Sequence, residues 1–257
     1  IQIVRKTGKV NFVARDTKNC DKIIRYGDNP KNYWWEVVGR DGTIRYYGKY
    51  AQDKIVNSNC VLKDAHGNIG YWALAEIVDI SGNYIRYEYN VSSNSEIYPK
   101  TIYYTGHKLA DGSNDMLPSY HIYFHYDERL DILRDGRLGF VRQTDSIVRC
   151  IDITHKYNGQ AAEPMLKYRN HLFVLEYDNT DNTSLLTQIQ DAYWSYDDSW
   201  ESILYISATK INGITKFDYH TSSFDSIFST SDIIISFDDA SYMPLSMSEN
   251  RNEHLGG

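Results

Sequence analysis

Proline is scarce in this chain, five in 257 residues, and cysteine is scarcer, at three. With sixteen glycines and no short period, such a composition excludes collagen-like and low-complexity chains. Cys20, Cys60 and Cys150 are odd in number and widely spaced, and no Cys-x-x-Cys pair occurs. They support neither a zinc centre nor a disulfide framework, and they read as small core hydrophobes with room for one bridge. No run of about eighteen apolar residues exists, so no helix is expected to cross a bilayer. Basic runs are also missing, and the net charge is −7, which argues against nucleic acid as a partner. The acidity reads as solubility. The opening "IQIVRKTGKVNF" has neither a Met, a basic segment nor an apolar segment of the signal-peptide kind. Its strand-like first residues lead to the expectation of a piece of a longer protein.

Tyrosine is what the chain has in excess, 23 residues. Tyr favours strands and can bury its ring while its hydroxyl stays near water. Strand patterns follow one another: 1–5, 10–14, 22–26, 34–38, 43–47, 71–80, 83–90, 100–105, 121–126, 146–154, 171–177, 185–190, 203–209, 214–219 and 233–237. Between them stand the pairs Asp41-Gly42, Ser81-Gly82, Asp111-Gly112, Asp135-Gly136, Asn158-Gly159 and Asn212-Gly213, the usual chemistry of hairpin turns. Helical pattern is thin, confined to 161–166 beside Pro164 and to an ambiguous 185–192. In "YIRYEYN", Ile85, Tyr87 and Tyr89 share one face, and Tyr84, Arg86 and Glu88 the other. A wall with one apolar face and one face mixing Tyr with charge is expected, the second side meeting water or a polar interior. "EVVGRDGTIRYYG" (36–48) returns as "EIVDISGNYIRYEY" (76–89), and "KINGITKFDY" (210–219) repeats the second half, which suggests a sheet extended by successive hairpins. From Thr221 onward Ser, Asp and Asn become frequent and the end reads as linker.

The candidates for chemistry are few. His121 and His125 would share a metal on a helix, but in a strand they stand about 13 Å apart. "DGSND" (111–115) and "NTDNT" (179–183) are rich in oxygen ligands but lack the Ca²⁺-loop alternation and read as solvated turns. Asp127, Glu128, Asp131 and Asp135 could supply a carboxylate pair, yet Arg129, Arg134, Arg137 and Arg142 surround them, which suggests structural ion pairs. Trp34, Trp35, Trp72, Trp194 and Trp200 could form a sugar platform. Alternation puts Trp34 and Trp35 on opposite faces, and core packing is the simpler reading for each. No nucleophile elbow, Walker loop or dinucleotide fingerprint is present.

Taken in order, certain motifs resemble a known family. They are Trp35 with Asp41, Gly42, Tyr47 and Gly48; Trp72; Asp79, Gly82, Asn83, Ile85, Tyr87 and Tyr89; Tyr98, Ile102 and Tyr104; Arg129 and Asp131; Gly139, Phe140 and Arg142; Arg149 and Cys150; Tyr177; and Ser184, Leu185 and Leu186. This succession, over roughly residues 20 to 220, is similar to the N-terminal module shared by the SpvB virulence proteins and the B components of insecticidal Toxin-complex toxins. The resemblance implies an all-β fold of consecutive antiparallel hairpins in a large curved sheet of the Rhs/YD-repeat kind, with few helical turns. It implies a non-enzymatic scaffold of a secreted or surface toxin-like protein, contributing to a shell that encloses or delivers a C-terminal effector. The expected partners are other parts of the same polypeptide, namely FG-GAP and Rhs-type repeats and the effector, and the closing "HLGG" is similar to the lead-in of an FG-GAP repeat. The expected organisation is a hairpin module at 1–220 and a variable segment with linker at 221–257. No catalytic, cofactor-binding or metal-ligating residue is expected. A carbohydrate-binding β-domain is the alternative, and a hydrolase using the acids of 127–135 a further rival.

Overall fold

One turn chemistry is used five times. At residues 39–43, 64–68, 79–83, 92–96 and 109–113 the first N–H donates to the carbonyl four residues on, and the fourth N–H donates back to the first carbonyl. The fourth position therefore has positive φ, at Gly42, Gly67, Gly82, Ser95 and Gly112. A turn closed in this way twists in the sense of the strands it joins, which is why it recurs in hairpins. Asp64 and Asp79 complete their turns alike, each accepting from the N–H groups two and four residues on and from an Asn side chain, Asn68 or Asn83. The Gly pairs seen in the sequence are thus the punctuation of a meander.

The structure is a computed structural model describing residues 4–6, 8–13, 21–155, 171–179, 183–193 and 210–219. The chain divides into two units, Ile1–Phe217 and Asp218–Gly257, and the elements below belong to the first. Its strands are β1 (Val4–Lys6), β2 (Lys9–Val13), β3 (Lys22–Tyr26), β4 (Trp34–Val38), β5 (Ile44–Tyr47), β6 (Val61–Lys63), β7 (Ile69–Trp72), β8 (Leu74–Val78), β9 (Asn83–Val91), β10 (Ile97–Lys108), β11 (Asn114–Met116), β12 (Tyr120–Asp135), β13 (Arg142–His155), β14 (His171–Asp178), β15 (Leu185–Tyr193) and β16 (Lys210–Lys216). All pairs are antiparallel, and the order β1-β2-β3-β4-β5-β8-β9-β10-β12-β13-β14-β15-β16 follows the sequence, with β11 added to β10. The hairpin β6–β7 is a separate sheet inserted between β5 and β8. A single 3-10 turn, Ser58–Cys60, is the only helical element among the described residues. The all-β expectation therefore holds.

The sheet buries the face that mixes Tyr with charge. Ile24, Glu76, Tyr84 and Thr101 are each at most 2 % exposed, as are Cys60 and Leu62 from the insertion. The strap of residues 48–60 lies over this face: Gly48 and Ala73 exchange the strap's ends through Gly48 N–H to Ala73 O and Ala73 N–H to Cys60 O, and Ala51 N–H reaches Glu76. Farther along the sheet, Cys150, Leu172 and Ala192 form a second buried cluster with Val174 beside it. Burying one aliphatic side chain of this size contributes about 1.5–3 kcal/mol, so the mixed face still gains from its Ile, Leu and Tyr rings.

Several sequence expectations are corrected. The pattern at 71–80 is two strands, β7 and β8, because Ala73 is drawn out of register toward Cys60. Strands β6 and β11, three residues each, were not anticipated. The expected 121–126 strand runs on to Asp135, and the ambiguous 185–192 is strand β15. Asn212-Gly213 is no turn. Both residues lie inside β16, beside a register shift at Asp191/Ala192, so the third copy of the repeat is a single strand. The expectations at 203–209, 233–237, 161–166 and Asn158-Gly159 lie outside the described residues.

Candidate functional site

A polar row crosses the buried face. Following the strand registers, Asn11 stands beside Ile24, then Glu36, Tyr46, Glu76, Arg86, Tyr103, His121 and Thr154, one residue from each of nine successive strands in sheet order. Its centre is Glu76, fully buried on β8. One carboxylate oxygen of Glu76 takes Lys108 Nζ at 2.7 Å and Arg86 Nη2 at 3.1 Å, and the other accepts the Ala51 N–H at 2.8 Å. Arg86 lies 4.5 Å from the Tyr50 ring and Lys108 4.9 Å from that of Tyr84, so an aromatic ring stands against each cation. Burial pulls Lys108 below the ordinary lysine range, with Glu76 acting against it. Burial likewise pushes the Tyr46 hydroxyl up to about 12, with help from the negative charges of Glu36 and Glu76. Both carboxylate oxygens of Glu76 therefore have fixed partners. Two cations on one carboxylate lock Glu76 in place.

The motif residues turn out to be joints between strands. Trp35 meets Trp72 edge to face at 5.7 Å, and Trp72 Nε1 donates to Tyr33 O. Gly48 is pressed against Trp72, and a side chain on Gly42 would collide with Ile80. Tyr89 donates to Leu74 O at 2.6 Å, Tyr177 to Val148 O at 2.7 Å, and Tyr98 to Asp145 at 2.8 Å. Arg142 pairs with Glu96, and Phe140 lies against Gly70. Asp131 accepts from Arg129 and from both the N–H and the hydroxyl of Ser184, fastening the β14–β15 turn to β12. Beyond Tyr123 the β12–β13 ribbon has no ladder partner in β10, and it is held by side chains on either flank and by the Gln143 N–H on Asn94 O.

Most of the candidates named from sequence are accounted for in the same way. His121 and His125 share one face of β12 but not one partner: His121 packs on Tyr103 and Tyr123, and His125 stands opposite Cys150. Asp127 pairs with Arg149, Asp131 with Arg129 and Asp135 with Arg137. Hydrogen bonds from Ser184 hold Asp131 well below the carboxylate range, and those from Arg137 hold Asp135 at about 2. A general acid needs the opposite shift, so the carboxylate-pair reading is weakened. Asp111 closes its own turn on Ser113, and Asp115 pairs with His107. Trp34 stacks on Tyr26 at 4.1 Å, with Lys49 4.3 Å from its ring. Trp194, Trp200 and Cys20 lie outside the described residues, as does most of 179–183. Sequence reading missed Glu76, Lys108, Glu96 and Asp145. The repeated Glu that opens both copies of the hairpin, Glu36 and Glu76, was the one signal that could have found the row.

Among known proteins, residues 9–126 match the family model described as Salmonella virulence plasmid 65kDa B protein, SpvB. No curated protein sequence matches the chain. Among solved structures, the N-terminal domain of the effector protein SpvB from Salmonella typhimurium strain LT2 superimposes with a TM-score of 0.59 at 15% identity, covering 73% of this chain and 69% of that one. The Photorhabdus luminescens Tc holotoxin pore gives 0.60 at 13% identity, covering 74% of this chain and 11% of that one. TcdB2-TccC3 without its hypervariable C-terminal region gives 0.59 at 15%, over 74% and 11%. The chain thus spans about a tenth of the Tc chains whose fold it shares.

Proposed function

The chain carries an SpvB-type module at residues 9–126, and from that premise we propose that it is a structural wall segment of a toxin-like protein. On this reading it has no reaction of its own. It contributes strands to a larger assembly of the same polypeptide, with FG-GAP and Rhs-type repeats and a C-terminal effector as its partners, outside the producing cell or on its surface. Residues 1–220 form the module, and 221–257 lead on to the next part. The observation that carries the proposal is the commitment of the polar groups. Glu76 is spent on Lys108, Arg86 and the Ala51 N–H, and Glu88 on the Tyr103 hydroxyl. Support also comes from β16, which pairs only with β15 among the described residues, while 211–219 are exposed throughout. An edge of this kind invites a further strand.

The test is hydrogen exchange of β16 in the 257-residue chain and in the longest product of its gene. The amides of 210–216 that point away from β15 should exchange freely in the former and be protected in the latter. A C-terminal segment of the long product should also resist added protease. Free exchange at β16 in both forms, with no protected segment, would remove the proposal. Retention of the chain on a glycan array would favour the carbohydrate-binding alternative instead.

A further inference from the structure

His107 stands at the end of β10 with both ring nitrogens engaged. Nδ1 lies 2.6 Å from an Asp115 carboxylate oxygen on β11, and Nε2 lies 2.7 Å from the carbonyl oxygen of Ser81 in the β8–β9 turn. Both partners accept only. A neutral imidazole has one N–H and could serve one of them, leaving its bare nitrogen facing the other's lone pairs. Only the imidazolium donates to both. The same corner is a hinge: Thr105 has φ +72, the β9–β10 register shifts between Tyr103 and Gly106, and the Thr105 and Ser119 hydroxyls meet at 2.8 Å. Residues 109–119 between these points form an arm whose Leu109, Met116 and Leu117 are 45–60% exposed.

We propose that the 109–119 arm is held to the sheet by a protonation-dependent clasp at His107, closed while the ring carries both protons and open when it loses one. The charged groups facing the ring are acidic: Asp115 from β11 and Asp79 from the β8–β9 turn. From β9, Asn83 opposes His107 and is uncharged, and Lys108 on the same strand turns inward to Glu76. Asp111, at the tip of the arm, is occupied by Ser113. The hydrogen bond to Asp115, then that to Ser81, raise His107 above its ordinary value of 6.5. A group raised in the folded state stabilises fully below its unfolded value, and the contribution is lost as pH climbs through the raised one. The clasp is therefore closed under mildly acidic conditions and opens on the alkaline side. Among the arm's other ties are the pairing of β11 with His107 and Lys108, the bond from Gln52 to Gly112 O, and, at its far end, Ser119 on Thr105 and Pro118 O near the His121 ring. Opening uncovers the β10 edge that β11 now occupies. This inference does not depend on the wall-segment reading.

The experiment uses the full 257-residue chain. Ring-proton NMR, assigned by the signal missing in His107→Gln, gives the His107 midpoint. Hydrogen exchange of 109–119 is followed from about pH 6 to about pH 9 and corrected for the intrinsic rate. Wild-type protection of the arm should fall by about tenfold across the His107 midpoint, which should lie above 6.5. His107→Gln, whose amide has a single donor nitrogen and does not titrate, should show no such step. Asp115→Asn should move the midpoint of the exchange step in 109–119 down, and this reading needs no assignment from the His107 variant, so it stands even if that variant fails to fold. A midpoint at or below 6.5, or the same step in His107→Gln, would overturn the clasp.

Discussion

Replacing Glu76 by Gln should be the most costly single polar change in the chain. The substitution keeps the shape and removes one charge, leaving Lys108, 5% exposed, and Arg86 facing each other across a neutral amide. Removing one partner of a buried ion pair costs about 3–5 kcal/mol, because the remaining charge stays desolvated. Arg86 is a quarter exposed and relieves part of this by turning to water. Lys108 has no such exit and sheds strain only by losing its proton, so the deficit should shrink as pH rises. The Ala51 N–H keeps an acceptor in the amide oxygen, which holds the estimate at about 3 kcal/mol rather than higher. Urea unfolding followed by tryptophan fluorescence reads this as a midpoint lowered by about 1 M at a slope of about 3 kcal/mol/M. The companion variant Glu76→Leu with Lys108→Met, which removes both ends of the pair, should recover at least half of the loss. A single-variant cost below about 1 kcal/mol, or no recovery in the double variant, would refute the claim that this buried triad is locked by desolvated charge.

Other consequences follow from the same geometry. Arg45 and Arg86 occupy matching places in the repeated Ile-Arg-Tyr, yet Arg86→Ala should cost about 2–3 kcal/mol and Arg45→Ala less than about 0.5, measured by the same unfolding curves. Equal costs would sink the face assignment. Ser95 sits at φ 60 where the four sister turns have Gly, so Ser95→Gly should stabilise by about 1 kcal/mol. Gly82→Ala should instead destabilise by more than about 2 kcal/mol, since its methyl would also strike the Lys108 carbonyl. Burial pushes the thiols of Cys60 and Cys150 up to about 12. Both should stay silent to an aromatic disulfide reagent at neutral pH in the native chain and react at once in denaturant; a fast native reaction at either would contradict their placement.

The first part of the sheet was legible because its strands, β3 to β5 and β8, are short and sharply punctuated. β3 and β4 begin and end where alternation and turn chemistry put them, at 22–26 and 34–38. The charged run Asp127 to Asp135 concealed the second half of β12, since a ribbon without a ladder partner on that flank needs no apolar alternation. It is held by a bulge between Glu128 and Leu133 and by the Arg129–Asp131–Ser184 fastening, which join residues more than fifty apart. The insertion was opaque for a related reason. β6 and β7 are too short to show a period, and they exist because their residues pack on a sheet made by distant strands.

The repeat misled in an instructive way. Written as letters, Ile44-Arg45-Tyr46 and Ile85-Arg86-Tyr87 are the same triplet after a Gly turn. The second copy, however, holds one more residue between the turn and the triplet, and a slip of one residue exchanges the faces of a strand. Glu36 is therefore paired with Tyr46 while Glu76 is paired with Arg86. Arg45 is turned to the opposite side, where it lines an open groove with Asp21, Val37 and Tyr47. From one near-repeat the fold obtains a neutral Tyr next to one glutamate and a cation on the other, and the cation lands where the strap and Lys108 close over it. A row assembled from single residues of nine strands has no sequence motif of its own. It is set by register, and register is set by the turns.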